Sequence, residues 1–187
     1  MEVVENALER AGGQDLAQRM ASLNRIALSA ARGAARALAT DSRFEIPQLQ
    51  RTHYTDISDA DVDALSDCPF SLMMLSGISE AHTKNPAKNP LPIDCEIIRR
   101  TIVIARDLTV VSWTAPRALL GMSVEDVARI KKLTDDDAEA MSVSSRVAII
   151  PRIPPEEKLR SQDGAGWDGP ALLRRFVVEC DQLGRSA

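Results

Sequence analysis

Two stretches of this chain, 76 positions apart, open a helix in nearly the same way: Ile57-Ser58-Asp59-Ala60-Asp61-Val62-Asp63-Ala64-Leu65-Ser66 and Leu133-Thr134-Asp135-Asp136-Asp137-Ala138-Glu139-Ala140-Met141-Ser142. In both, an apolar residue precedes a Ser or Thr, an Asp follows three places on, and a hydrophobic patch comes after the helix, at 70–75 and at 147–150. The hydroxyl accepts a hydrogen bond from an otherwise unpaired amide, and the acid sits at the positive end of the helix dipole. The match extends upstream at a spacing of 74, where Leu28-Ser29-Ala30-Ala31-Arg32 parallels Ile102-Val103-Ile104-Ala105-Arg106, so two extra residues lie between the helices of the second stretch. Single openings of this kind are common in helical proteins. Recurrence together with the flanking helices argues for two copies of one helical unit.

Composition narrows what those units are made of. Of 187 residues, 44% are hydrophobic but only 3% aromatic, so the expected core is aliphatic and built from helix faces, an all-α fold. A net charge of −4 gives no general basic field, and any contact with DNA must be local or shared with a partner. Cys68, Cys95 and Cys180 are odd in number and widely spaced, which disfavours a disulfide framework or a structural zinc site and fits a reducing cytoplasm. No run reaches the apolar length of a membrane span or signal core, so the expectation is a cytoplasmic protein without membrane contact.

Along the chain, residues 1–80 read as the first unit with an N-terminal arm at 2–11, ended by Gly12-Gly13. Its long helix runs from Asp15 to about Thr40, with an apolar stripe of Leu16, Met20, Leu23, Ala27, Ala31 and Ala34. Residues 41–56 lack periodicity and predict a connection with at most one helical turn. The segment from Phe70 to Leu75 fits a buried helix turn or a short strand equally. Asn85-Pro86, Asn89-Pro90 and Pro92 make 81–93 a linker. The second unit covers 94–152, with Asp94 as a cap, a helix through Ile97–Leu108, a short helix opened by Pro116 and closed by Gly121, a helix capped by Ser123 running to Lys132, and another from Thr134 to Met141. Residues 153–187 predict a flexible tail with a terminal amphipathic helix from Pro170 carrying Leu172, Leu173, Phe176, Val177 and Cys180.

The second unit resembles the FlhD family of flagellar transcriptional regulators. The resemblance rests on the run from Ile104-Ala105-Arg106 to Leu120-Gly121-Met122-Ser123, on Val124-Glu125-Asp126-Val127-Ala128-Arg129-Ile130-Lys131-Lys132-Leu133-Thr134, and on Met141 and Ser144-Ser145. The first unit is similar through Leu23-Asn24, Ala31, Ile57-Ser58 and Leu65, without the Leu-Gly-hydrophobic-Ser turn. Residues 22–78 and 96–152 are covered. The resemblance implies a small helical bacterial activator subunit that dimerises and works with a second subunit, FlhC. Two tandem units in one chain would then form an intramolecular pseudo-dimer. The family's cross-linking cysteine would fall at Met73 and Ile149, so a disulfide-locked dimer is not implied.

Catalytic chemistry finds little here. His53 and His82 stand outside any motif, the triplet Asp135-Asp136-Asp137 lacks calcium-loop spacing, and no Gly-rich phosphate loop occurs; no enzyme activity, cofactor or metal is expected. The stretch from Ser123 to Arg146 has a helix-turn-helix outline, but three aspartates at the opening of its second helix would repel phosphates. Candidate DNA-contacting residues are Arg99, Arg100, Arg106, Arg129, Lys131, Lys132, Arg146 and Arg152, which as solvated helix faces are equally well explained. Their display on one side of the molecule would discriminate. The expected function is a transcriptional regulator subunit that meets DNA within a complex with an FlhC-like partner, at flagellar or mobile-element promoters, and that can enter higher homo- or hetero-oligomers. The alternative is a helical adaptor or anti-activator that sequesters a regulatory partner and never meets DNA.

Overall fold

Helix α1 (Gly13–Ala37) is the longest element, followed by α2 (Gln48–Asp56), α3 (Asp59–Ser66) and strand β1 (Met73–Ser76). Then come α4 (Pro92–Val111), α5 (Ala115–Leu120), α6 (Val124–Ile130), α7 (Asp135–Ser142) and strand β2 (Ala148–Pro151). The computed structural model describes residues 13–37, 42–68, 70–81, 86–87 and 89–152. The arm at 2–11, linker residues 82–85 and 88 with His82 among them, and everything expected of 153–187, including the terminal helix and Cys180, lie outside the described residues.

The fold is largely helical, and its core is aliphatic. On α1 the side chains of Leu16, Met20, Leu23, Ala27, Leu28, Ala31 and Ala35 are buried, and on α4 those of Ile97, Ile98, Ile102, Ile104, Ala105 and Leu108. The two long helices pack on each other. Helix α1 also carries α2 and α3, and α4 carries α5, α6 and α7. The isoleucines of α4 are β-branched, yet the stripe they form recurs at helical spacing, and burial of that stripe outweighs their weak helix propensity.

What an all-α reading lacks is a small sheet. The segment that fitted a helix turn or a strand is β1, and the second hydrophobic patch is β2; the two pair antiparallel, Met73 with Pro151, Met74 with Ile150, Leu75 with Ile149 and Ser76 with Ala148. Met73, Leu75, Ile149 and Pro151 turn inward, the period-two alternation of a half-buried strand. Phe44 adds a parallel bridge to Ile149, held by Glu45 N–H to Ile149 O and Ile149 N–H to Arg43 O, both 2.9 Å. The stretch before α2 is thereby tied to β2. In return, Ser71 before β1 donates its N–H to Leu119 O of α5 at 2.7 Å.

Two local expectations are corrected. Residues 41–56 were expected to hold one turn at most, but α2 is nine residues long. Its periodicity is faint because Tyr54 is its one well-buried large side chain among those described, while Arg36 fastens its end through two bonds to Thr55 O. Asp94 is not the cap of α4. Leu91 stands at the cap and Pro92 opens the helix, while Asp94, buried to 1% exposure, accepts from Arg43 N–H at 2.8 Å and Ser42 Oγ. In addition, α6 stops at Ile130, with Lys131 and Lys132 in the turn beyond it.

Several contacts recur at the spacings seen in the sequence. Helices α3 and α7 are 76 positions apart at both ends, and each opens with a reciprocal capping box, Ser58 with Asp61 and Thr134 with Asp137. Their buried positions correspond: Val62, Leu65 and Ser66 against Ala138, Met141 and Ser142. Arg32 of α1 pairs with Asp59 of α3 at 2.7 Å, and Arg106 of α4 with Asp135 of α7 at 2.6 Å. Arg25 pairs with Asp63 at 3.0 Å, and Arg99 approaches Glu139 at 3.9 Å. Each arginine of the second set lies 74 positions after its counterpart, and each acid 76. In the sheet, Met74 faces Ile150, the residue 76 positions beyond it.

Candidate functional site

The eight candidate cations fall into two groups according to what surrounds them. Arg99 and Arg106 project from α4 towards α7 and meet Glu139 and Asp135. Arg99 also bonds Glu96, at 3.0 Å, as does Arg100, whose Nη1 donates to Ser22 Oγ at 3.0 Å. The two guanidinium groups on Glu96, Arg100 foremost, hold its carboxyl below the usual range. Arg152 faces inward. Its Nη1 donates to Ser71 O at 3.0 Å and Leu119 O at 3.2 Å, and its guanidinium lies 5.8 Å from the centre of the Phe70 ring. These four arginines carry charge that acids or carbonyls of the same chain already attract.

Arg129, Lys131, Lys132 and Arg146 are exposed. The first three gather at the end of α6, in front of the α7 N-terminus. There Asp137 accepts from the N–H and the hydroxyl of Thr134 at 3.0 and 2.8 Å. Those bonds hold its carboxyl below the usual range, with a smaller attraction from Arg129. The opening of α7 therefore stays anionic at neutral pH: Asp137 closes the capping box, Asp135 meets Arg106, and Asp136 is exposed. Helices α6 and α7 do have the sequence of a helix-turn-helix, but this charge faces whatever approaches the N-terminus of the second helix. Arg146 and Arg152, near neighbours in sequence, do not act together, because one is exposed and the other turned into the fold.

Between α1 and α4 lies a groove of about 380 Å³ lined by Asp15, Arg19 and Ser22 on one side and Arg99 and Arg100 on the other. Arg19 bridges the helices by bonding Asp107 at 2.8 Å. Sequence inspection missed Arg19 because its partner is 88 positions away. It also missed the half-buried Arg43 and the buried Arg117, which stand alone in their segments and so give no charge cluster to notice.

Among the described residues no group of three or more His, Cys, Asp or Glu side chains is placed to hold a metal ion, and no helix is long and apolar enough to cross a membrane. His53, half-buried, lies on α2. Cys68 is partly buried, and burial, with Asp67 adding to it, pushes its thiol up to about 11. Comparison with family models, with curated proteins and with solved structures finds no match to this chain.

Proposed function

We propose that this chain is a regulatory subunit made of two FlhD-like helical units fused head to tail, working in the cytoplasm as a built-in pseudo-dimer that joins an FlhC-like partner on promoter DNA. The observation that carries the reading is the recurrence of whole contacts. The Arg32–Asp59 and Arg25–Asp63 pairs return as Arg106–Asp135 and Arg99–Glu139, and the capping boxes return with them. A strand pair in which a residue faces its own counterpart, Met74 opposite Ile150, suits two copies related by a twofold rotation.

Charge supports a division of labour with the partner. Half of the candidate cations are engaged within the chain, and the net charge is −4, so the greater part of the field that attracts phosphates must come from elsewhere in the complex. The same observation favours the second reading, an adaptor or anti-activator that occupies the partner without touching DNA.

A mobility-shift experiment separates the two. It uses a candidate promoter fragment, a purified FlhC-like protein, and this chain added last. A shifted complex that needs both proteins is the expected result. Disappearance of a shift that the partner forms by itself identifies the anti-activator. Tight promoter binding by this chain unaided overturns the proposal.

A further inference from the structure

Arg117 occupies an unusual position for a charged side chain. It lies on α5 with only 8% of its surface exposed, its Nε is buried without a hydrogen-bond partner, and among the described residues no acid pairs with it. A guanidinium does not give up its proton, so burial cannot be relieved by neutralising it. An enclosed N–H without an acceptor is disfavoured, and an anion reaching the guanidinium would relieve it.

The recurring spacing explains why Arg117 lacks a partner within the fold. At the 74-residue spacing that relates α1 to α4, Arg117 is the counterpart of Arg43. Both have an Nε enclosed without a partner, but the Nη groups of Arg43 are engaged: Nη1 donates to Ser142 O and Ser144 O at the end of α7, and Nη2 lies 3.1 Å from Cys95 Sγ, whereas no bond from the Nη groups of Arg117 is seen among the described residues. The carbonyls that correspond to these, 76 positions earlier, belong to Ser66 and Cys68 at the end of α3. They are already served by Asn24, whose Nδ2 donates to Ser66 O, to Cys68 O at 3.2 Å and to Phe70 O at 2.9 Å. In the second half the position of Asn24 is taken by Ile98, which has no donor, so there the carbonyls fall to Arg43. One half uses an amide for this task and the other an arginine. Arg117 is left over.

We propose that Arg117 is the receptor of an oxyanion site, taking a carboxylate or a phosphate-type group through the planar donor edge of its guanidinium. Such a fork matches two oxygens at once. The inference stands on the geometry of Arg117, Arg43 and Asn24 and holds whether or not the chain regulates transcription.

The probes are inorganic phosphate and acetate, each titrated into the full-length protein at constant ionic strength against chloride, with thermal unfolding as the readout. A ligand held by the folded state alone raises the midpoint, by about 3–5 °C when present at ten times its dissociation constant. The expected result is a saturable rise with at least one of the two oxyanions, absent in Arg117→Met. Phosphate acting at the lower concentration assigns a phosphate-type ligand, and acetate a carboxylate. A midpoint that follows chloride throughout overturns the proposal, and so does a rise that Arg117→Met retains. Should that variant fail to fold, the assigned Nε–H resonance of Arg117 in the unaltered protein decides: saturable movement on adding the anion supports the site, and an unmoved signal refutes it.

Discussion

Asn24 shows how one side chain can organise a turn. With no exposed surface, it donates to carbonyls that leave α3 and accepts from Leu72 N–H at 2.9 Å, so one amide fixes the path from the helix into β1. Asn24→Ala strands those groups in the interior and should lower stability by about 2–4 kcal/mol in urea unfolding, because several buried partners lose their bond together. Cys68 offers a chemical check on the same turn. Since its thiolate forms only as the pH nears about 11, alkylation by iodoacetamide at pH 7 should be slow in the native protein and become fast on unfolding. Equal rates in the two states would mean that the thiol is not enclosed. Neither role was legible in the sequence. Asn24 looks like a polar interruption of an apolar stripe, and its acceptors are 42 to 46 positions away.

At the scale of elements, local signals proved readable where the stabilising partner is local. The capped openings of α3, α6 and α7 and the glycine that ends α5 are visible within four or five residues of sequence, and each has the expected geometry. Asp94 was misread because its donors, Ser42 and Arg43, come from 52 and 51 positions away. Some partners of the candidate cations are hidden for the same reason: Asp135, which meets Arg106, and Glu139, near Arg99, sit on another helix, although Glu96 beside Arg99 is local. Capping also ties stability to pH. The native carboxyl of Asp137 titrates below its unfolded value, so its contribution is complete above about pH 4 and is lost as the pH falls through the native value. Unfolding midpoints measured from pH 6 down to pH 3 should therefore fall less in Asp137→Asn than in the unaltered protein. The two left-handed glycines differ in what a side chain would meet. At Gly77 (φ +77°) a Cβ would sit 2.2 Å from the carbonyl oxygen of Arg146, whereas at Gly121 (φ +68°) it meets the movable end of Arg152. Gly77→Ala should cost about 3 kcal/mol or more and Gly121→Ala about 1–2 kcal/mol, as compared by thermal unfolding.

For the whole molecule, the important links run between the halves. The sheet joins β1 to β2, Arg43 reaches the end of α7, and α1 lies along α4. Neither half closes its own core. Residues 13–81 produced alone should lack a cooperative unfolding transition, and mixing them with residues 86–152 should restore one. A sharp transition for the first fragment by itself would show that its contacts suffice. The charge pattern of exposed Arg129, Lys131 and Lys132 beside an anionic helix opening was legible in sequence because both groups fall within residues 129–137, whereas the pairing of α4 arginines with α7 acids was not, since it depends on which helices become neighbours. The pairing of β1 with β2 also bears on how the protein is made. During synthesis the edge of β1 has no partner until residue 151 leaves the ribosome, more than 70 residues later. Two nascent chains on one message are close enough to offer each other the missing strand, and exchanged dimers are the hazard that slow translation of the second half would increase.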